Sequence, residues 1–295
     1  MVYDKGIAYL GPQGSFSHEA SILYAKKHAS KTPAHENTLS LNAKDTLASV
    51  FQSVKNGDNA FGVAAIENNV EGFVGETLDL LLEHNDDLQI IDMLWLPVQF
   101  DAVYASTPKL DAPFTPKVLK AHPHALAQCR NFISKRSLST QPALSNSAAV
   151  LGLGDDEIAL APHESNAFRN VKVYESLVQD YQDAKTQFVL IAKRTTANAL
   201  KIIEDHNIWA ITPENDTPGT LAKILQVINR YGINISTLIS RPVKATDARY
   251  TFFMTLDASY EETEKCMYEI SELENATFHL GYYHAEKMVA ETERI

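Results

Sequence analysis

The stretch Phe61-Gly62-Val63-Ala64-Ala65-Ile66-Glu67-Asn68-Asn69-Val70-Glu71-Gly72 decides how the fold is read. Six small or apolar residues in an unbroken run read as a strand buried on both faces. A Glu and two Asn follow at once, at the place where an α/β sheet offers its loops to a ligand. Outward from this run the alternation of strand and helix recurs. Gly6–Gly11 reads as a second buried strand, and Ser15–His28 as a helix with Ser15 or Ser17 as N-cap. Ala43–Asn56 reads as an amphipathic helix burying Leu47, Val50, Phe51 and Val54, and Thr77–His84 as another carrying Leu78, Leu81 and Leu82. Further strands are expected at Gln89–Leu94, Phe100–Ala105, Val118–Ala121, Ile158–Ala161 and Phe188–Ala192. The expectation is an α/β domain over residues 1–194 with largely parallel strands.

Residues 195–206 read as a linker, after which a different pattern begins. It runs strand (Asn207–Thr212), turn (Pro213–Pro218), helix (Gly219–Tyr231), strand (Ile233–Arg241), strand (Arg249–Leu256), helix (Tyr260–Ser271) and strand (Thr277–Tyr283). Its first helix places Leu221, Ile224, Leu225 and Ile228 at helical spacing on one face. This βαββαβ order is ferredoxin-like. The second domain is expected over 207–285, with 286–295 as a tail, and as a small domain it could pair edge to edge with a copy of itself.

Bulk properties narrow the function. Hydrophobic residues are 45% of the 295-residue chain and charged residues 21%, a globular composition that can bury a core unaided. The two cysteines, Cys129 and Cys266, make neither a disulfide framework nor a metal knuckle, so a reducing compartment is expected. Met1–Gly6 is charged from the start and lacks a signal-peptide core, and no run of about 18 apolar residues occurs; a cytoplasmic, non-membrane protein is expected. A net charge of −11 with no basic stripe argues against nucleic acid. It also means that an anionic ligand must be held by local donors against the global field.

Three strand-to-helix turns offer chemistry. Gly11-Pro12-Gln13-Gly14-Ser15-Phe16-Ser17-His18 could present backbone amides to a carboxylate, or be an ordinary capped loop. Glu67 and Asn68 could face a ligand, or cap a turn. Asp183-Ala184-Lys185-Thr186-Gln187-Phe188 puts a hydroxyl beside a cation, although Thr before a strand is commonplace. His122, His124 and His163-Glu164 read as polar loop residues, without zinc-type spacing. No phosphate loop, dinucleotide fingerprint or nucleophile elbow is present.

These turns, with His122-Pro123-His124-Ala125-Leu126-Ala127-Gln128-Cys129 and Ser145-Asn146-Ser147-Ala148-Ala149, resemble the prephenate dehydratase family, and they occur in the family's order. The tail resembles an ACT regulatory domain at Pro218-Gly219-Thr220-Leu221 and Ser240-Arg241-Pro242. The resemblance implies a two-lobed catalytic domain like a type II periplasmic binding protein, followed by a ferredoxin-like ACT domain. It implies decarboxylating dehydration of prephenate to phenylpyruvate without a cofactor, because aromatisation drives the reaction. It assigns catalysis to Thr186, Glu67 and Asn68, and substrate binding to Ser15, Ser145, Ser147, Gln187 and Phe188. It assigns phenylalanine feedback to Asn215, Gly219, Thr220, Leu221 and Ser240, and implies a homodimer or homotetramer.

The chain departs from the family pattern at Gln187 (usually Arg), Ala184 (commonly Asn), Ala121 and His124 (Ser and Gln in Ser-His-Pro-Gln) and Ile239 (Glu). Loss of a charge at Gln187 beside a dianion, with Lys185 compensating, is one expectation. Three further readings stand beside dehydration: a non-aromatising prephenate decarboxylase, an arogenate dehydratase and an inactive module that senses a small carboxylate or amino acid.

Overall fold

A computed structural model describes residues 5–29, 39–106, 114–163, 168, 170–200, 205–215, 217–243 and 249–284. The first lobe contains β1 (Ile7–Leu10), α1 (Phe16–Ala29), β2 (Leu41–Lys44), α2 (Leu47–Asn56), β3 (Phe61–Asn68), β4 (Gly72–Phe73), α3 (Gly75–Glu83) and β5 (Leu88–Pro97). The second lobe contains β6 (Phe100–Ala105), β7 (Val118–Ala121), α4 (Pro123–Ala127), α5 (Arg130–Arg136), β8 (Ser139–Pro142), α6 (Asn146–Leu151), β9 (Glu157–Pro162) and β10 (Val171–Glu175). The chain then returns to the first lobe as β11 (Lys185–Lys193) and α7 (Arg194–Leu200). The last unit is β12 (His206–Pro213), α8 (Thr220–Arg230), β13 (Asn234–Pro242), β14 (Tyr250–Asp257), α9 (Tyr260–Ser271) and β15 (Asn275–Tyr283).

The boundaries of α2 have a local cause. Thr46 caps α2 in a reciprocal box with Ser49, and Gly57 ends that helix in a left-handed conformation. The helix buries Leu47, Val50, Phe51 and Val54, the face expected from the sequence. α1 covers one face of the first sheet through Ala20 and Tyr24, while α2 and α3 cover the other. The first-lobe strands are not largely parallel as expected. β1 pairs parallel with β2 and β3, but β11 runs antiparallel between β3 and β5. The second lobe is inserted between β5 and β11, so the returning strand enters its sheet from the opposite end. The second sheet, ordered β10-β6-β9-β7-β8, is likewise mixed.

Two crossings join the lobes, and they are tied together. Val98 N–H donates to Ala184 O at 2.7 Å, and Val178 N–H to Phe100 O at 2.9 Å. The result is a two-lobed fold of the periplasmic-binding-protein kind with a cleft beside the crossings.

The C-terminal unit orders its strands β13-β14-β12-β15, the ferredoxin-like arrangement. Its helices pack on one face through Ile224, Val227, Ile228, Met267 and Ile270. Its other face is not free: Ile208, Ala210, Phe253 and Leu280 share one core with Leu78, Leu81, Ile90 and Val189 of the first lobe. The sheet itself continues across the junction, because β15 pairs with β5 at Gly281 and Ile90.

Two arginines add polar ties. Arg194 donates to Asn85 O at 2.5 Å, to Gln89 Oε1 at 2.8 Å and to His279 O. Arg241 forks onto Asp79 at 3.1 and 3.2 Å. Burial, then the neighbouring Arg194 charge, pushes the His279 imidazole down to about 3, so it is neutral at neutral pH. The expected linker at 195–206 thus begins inside α7, whose Ala197 is buried.

Candidate active site

The centre of the cleft is the meeting of β3 and β11. Thr186 lies opposite Asn68 in register, and Asn68 Nδ2 donates to Thr186 Oγ1 at 2.9 Å. The direction of that bond is fixed. Asn68 Oδ1 already accepts the Val70 and Glu71 N–H groups at 2.9 and 3.0 Å, so its amide nitrogen must face Thr186. Thr186 therefore uses its oxygen as acceptor, and its one hydroxyl proton is left to donate into the cleft. Asn69 holds the turn in place: its Nδ2 donates to Asp183 O and its Oδ1 accepts Lys185 N–H, at 2.9 and 2.8 Å.

The opposite wall comes from the second lobe. Ser145 caps α6 by accepting Ala148 N–H at 3.0 Å, and Asn146 Oδ1 accepts His122 N–H at 2.8 Å. His122 Nδ1 accepts His124 N–H at 3.3 Å, which leaves the ring proton on Nε2. Between the walls lies a cavity of about 530 Å³ lined by Ser15, Asn68, Glu71, His122, His124, Gln128, Ser145, Asn146, Ser147 and Thr186, among others. Such a volume suits a small organic ligand.

Two polar atoms on this wall have no hydrogen-bond partner: Ser147 Oγ and Gln128 Oε1. Ser147 is 2% exposed, so its hydroxyl has given up water without a protein replacement. Ser147→Ala is therefore expected to leave thermal stability equal or raised by up to about 1 kcal/mol, while substrate KM rises about tenfold. Differential scanning calorimetry and steady-state kinetics on the same variant check both halves.

Ser15, Asn68, Ser145, Ser147 and Thr186 are thus brought to one cleft. Ser15 Oγ accepts His18 N–H at 3.2 Å and so serves the start of α1. Three expected residues lie elsewhere. The register of β3 against β11 skips Ile66, a bulge that puts Glu67 on the same face as Ile66 and returns Asn68 to the face of Ala65. Glu67 thus leaves the cleft and lines a second cavity, of about 190 Å³, between the first lobe and the C-terminal unit. Burial raises its carboxyl above the usual range, with Lys185 opposing. Gln187, its partner in register, faces the same way because neighbours of Thr186 on a strand point to the other face. Lys185 lies over the Trp95 ring at 4.7 Å on that same face, and it is not among the residues lining the cleft. Phe188 is core: it packs with Ile7 and Tyr9, and its carbonyl accepts the Tyr24 hydroxyl at 2.8 Å.

Among the expected effector residues, Thr220 Oγ1 accepts Thr217 N–H at 3.3 Å at the start of α8. Asn215 O accepts from the Thr220 hydroxyl, and Leu221 packs against the core of the unit. Gly219 is the left-handed residue that precedes α8. Ser240 is exposed on β13, the strand at the open end of the large sheet. Gln128 and Asn146 are site-lining residues that the sequence reading did not single out, although both sit inside runs that carried the resemblance. Among the described residues, no group of three or more His, Cys, Asp and Glu side chains is placed to hold a metal.

Residues 7–196 match the family model described as "Prephenate dehydratase", and 214–265 match "ACT domain". The chain belongs to the prephenate dehydratase family. A bifunctional chorismate mutase/prephenate dehydratase of Aquifex aeolicus is 31% identical over 94% of this chain and 73% of its own length. A prephenate dehydratase of Methanocaldococcus jannaschii is 30% identical over 90% of this chain and 92% of its own. A crystal structure of an Arthrobacter aurescens prephenate dehydratase in complex with L-Phe superposes with TM-score 0.78 at 25% identity, covering 97% of this chain and 93% of that one. For a prephenate dehydratase, the departures can now be located. Gln187 removes no charge from the cleft, since its side chain faces the C-terminal unit. Ala184 is buried in the second-lobe core. Ile239 lines the inter-unit cavity. Of the unusual residues, His124 alone stands in the cleft lining.

Proposed function

We propose that this protein converts prephenate to phenylpyruvate, carbon dioxide and water, and that phenylalanine inhibits it through the ACT domain. The observation that carries the reading is the Asn68–Thr186 pair, which holds a hydroxyl proton ready at the wall of a ligand-sized cleft. In the reaction the bond from the ring carbon to its carboxylate breaks. Its electron pair enters the ring, the double bonds shift, and the ring hydroxyl leaves as hydroxide, which takes up a proton to become water. Thr186 donates a hydrogen bond to that oxygen and strengthens it as negative charge develops. A threonine is a poor acid, so its contribution is that of a well-placed donor. Ser147, Asn146 and His122 hold the substrate's carboxylates by neutral donors. No redox step occurs and the gain in aromaticity drives the reaction, so no cofactor is required.

Glu67 and Gln187 act from behind the catalytic pair. They sit one residue from Asn68 and Thr186 and face the ACT domain, which gives that domain a short mechanical route to the reacting hydroxyl. Phenylalanine is held by the turn of Asn215, Gly219, Thr220 and Leu221 with Ser240 across a pair of ACT domains, in a homodimer or homotetramer. The open edge at β13 supports such pairing. The protein works in the cytoplasm. Its two thiols are buried, and Cys129 is pushed up to about 12 by burial and Cys266 to about 11, so neither is a reactive thiolate. No helix among the described residues is long and apolar enough to cross a membrane.

The test is the rate of phenylpyruvate formation from prephenate by the full chain, titrated with phenylalanine. Turnover that falls as phenylalanine rises is expected. Turnover unaffected by millimolar phenylalanine would remove the regulatory half, and absence of turnover the catalytic half. The full chain is required because the ACT face that packs on the first lobe is apolar and would be exposed in an isolated fragment.

A further inference from the structure

The cleft has a peculiar charge inventory. Among the described residues its lining includes neither lysine nor arginine, whereas Asp45 and Glu71 are both there. Among those residues, the side chains that can become cationic are His122 and His124. A dianion approaching this cleft in a chain of net charge −11 meets repulsion from both near and far.

The two histidines are not equivalent. His122 is pushed down, first by burial and then by repulsion from His124, with Glu71 opposing. It is therefore a neutral donor. His124 stands at the mouth, with its side chain 74% exposed and its Nδ1 3.3 Å from Glu71 Oε2. Its ring lies 5.1 Å from that of His122, in edge-on contact. Glu71 belongs to the β3–β4 turn of the first lobe, and its Oε1 also accepts Gln128 Nε2 at 2.7 Å. His124 and Gln128 belong to the second lobe, so the three side chains form a bridge across the mouth of the cleft.

We propose that His124, as its imidazolium, is the carboxylate-recognising cation of this cleft and sets its specificity for a dianion. The inference rests on the dehydratase reading. Paired with Glu71, His124 neutralises that carboxylate and offers Nε2–H to an incoming one. An uncharged side chain in its place leaves the Glu71 carboxylate facing the substrate uncompensated. Among the described residues of the lining, the charged or titratable groups around His124 are Glu71 from the first lobe, His122 from its own turn and Asp45 from the first lobe.

The experiment is KM for prephenate at one fixed pH in the full chain, for the wild type, His124→Gln and His124→Lys. His124→Gln should raise KM about tenfold, the loss of one charge-assisted contact, with the loss in KM rather than in kcat. His124→Lys should keep KM within about threefold of wild type, because it restores a cation at the same place. A His124→Gln variant that keeps the wild-type KM, or a His124→Lys variant as impaired as His124→Gln, overturns the proposal. If the wild type turns over no prephenate, the functional reading fails instead. The same three proteins are then titrated with phenylpyruvate by calorimetry, and a Kd that rises in His124→Gln but not in His124→Lys still sustains the anion site. An identical Kd in all three still overturns it.

Discussion

Thr186→Val lowers kcat by ~10²–10⁴-fold, the range for loss of a positioned proton donor in a transition state. Substrate Kd, measured by calorimetry on the same variant, changes by less than about threefold, because valine keeps the shape and a carboxylate held on the other wall is untouched. Two backbone N–H groups fix the Asn68 amide, that amide fixes the Thr186 oxygen as an acceptor, and the proton that remains has the cleft before it. Valine deletes that proton and also leaves Asn68 Nδ2 without its acceptor. Thr186→Ser restores both and should recover activity to within about tenfold of wild type, the gap reflecting the serine rotamers that threonine's methyl group excludes. Equal losses in the Ser and Val variants would mean that the methyl group, not the hydroxyl, is what the site needs.

Gly281→Ala destabilises the protein by about 2–4 kcal/mol and weakens any coupling between effector and substrate. Gly281 has φ of 139°, a conformation that side-chain-bearing residues rarely adopt. A Cβ there would be driven into the backbone N, O and Cα of Ile90, which cannot give way as a flexible side chain can. This is the single pairing through which β15 joins β5, so the clash falls on the seam between the ACT sheet and the catalytic sheet. The shared core and the Arg194 and Arg241 ties oppose separation, so the outcome is a strained seam rather than an unfolded chain. Thermal denaturation should show a drop of roughly 5–10 °C at this chain length. A change of less than about 1 °C would mean that the seam is not a structural tie.

The sequence carried much of this architecture because local signals and global packing agree. The α2 face of Leu47, Val50, Phe51 and Val54 follows from helical spacing alone, and the βαββαβ order of the C-terminal unit follows from alternating patterns. What was not legible was set by long-range pairing. The antiparallel course of β11 depends on where an entire lobe is inserted, and no local pattern records that. The misplacement of Glu67 has an equally physical origin. Strict alternation from Val63 through Ala65 sends residue 67 to the cleft, and one extra residue in the ladder reverses it. Gln187 follows Glu67 because the two are partners in register. The site on the second-lobe wall was half visible: Ser147 was expected there, whereas Gln128 and Asn146 acquire their roles only when α4 and α6 are folded against the first lobe.

The most direct measurement is to incubate the full chain with prephenate at neutral pH and identify the product by proton NMR. The expected result is the aromatic ring and side-chain signals of phenylpyruvate, formed in step with loss of the prephenate ring protons, and absent with Thr186→Val over the same interval. Consumption of prephenate to a non-aromatic ring would contradict it, because carbon dioxide would then have left without the hydroxyl that Thr186 is placed to draw away.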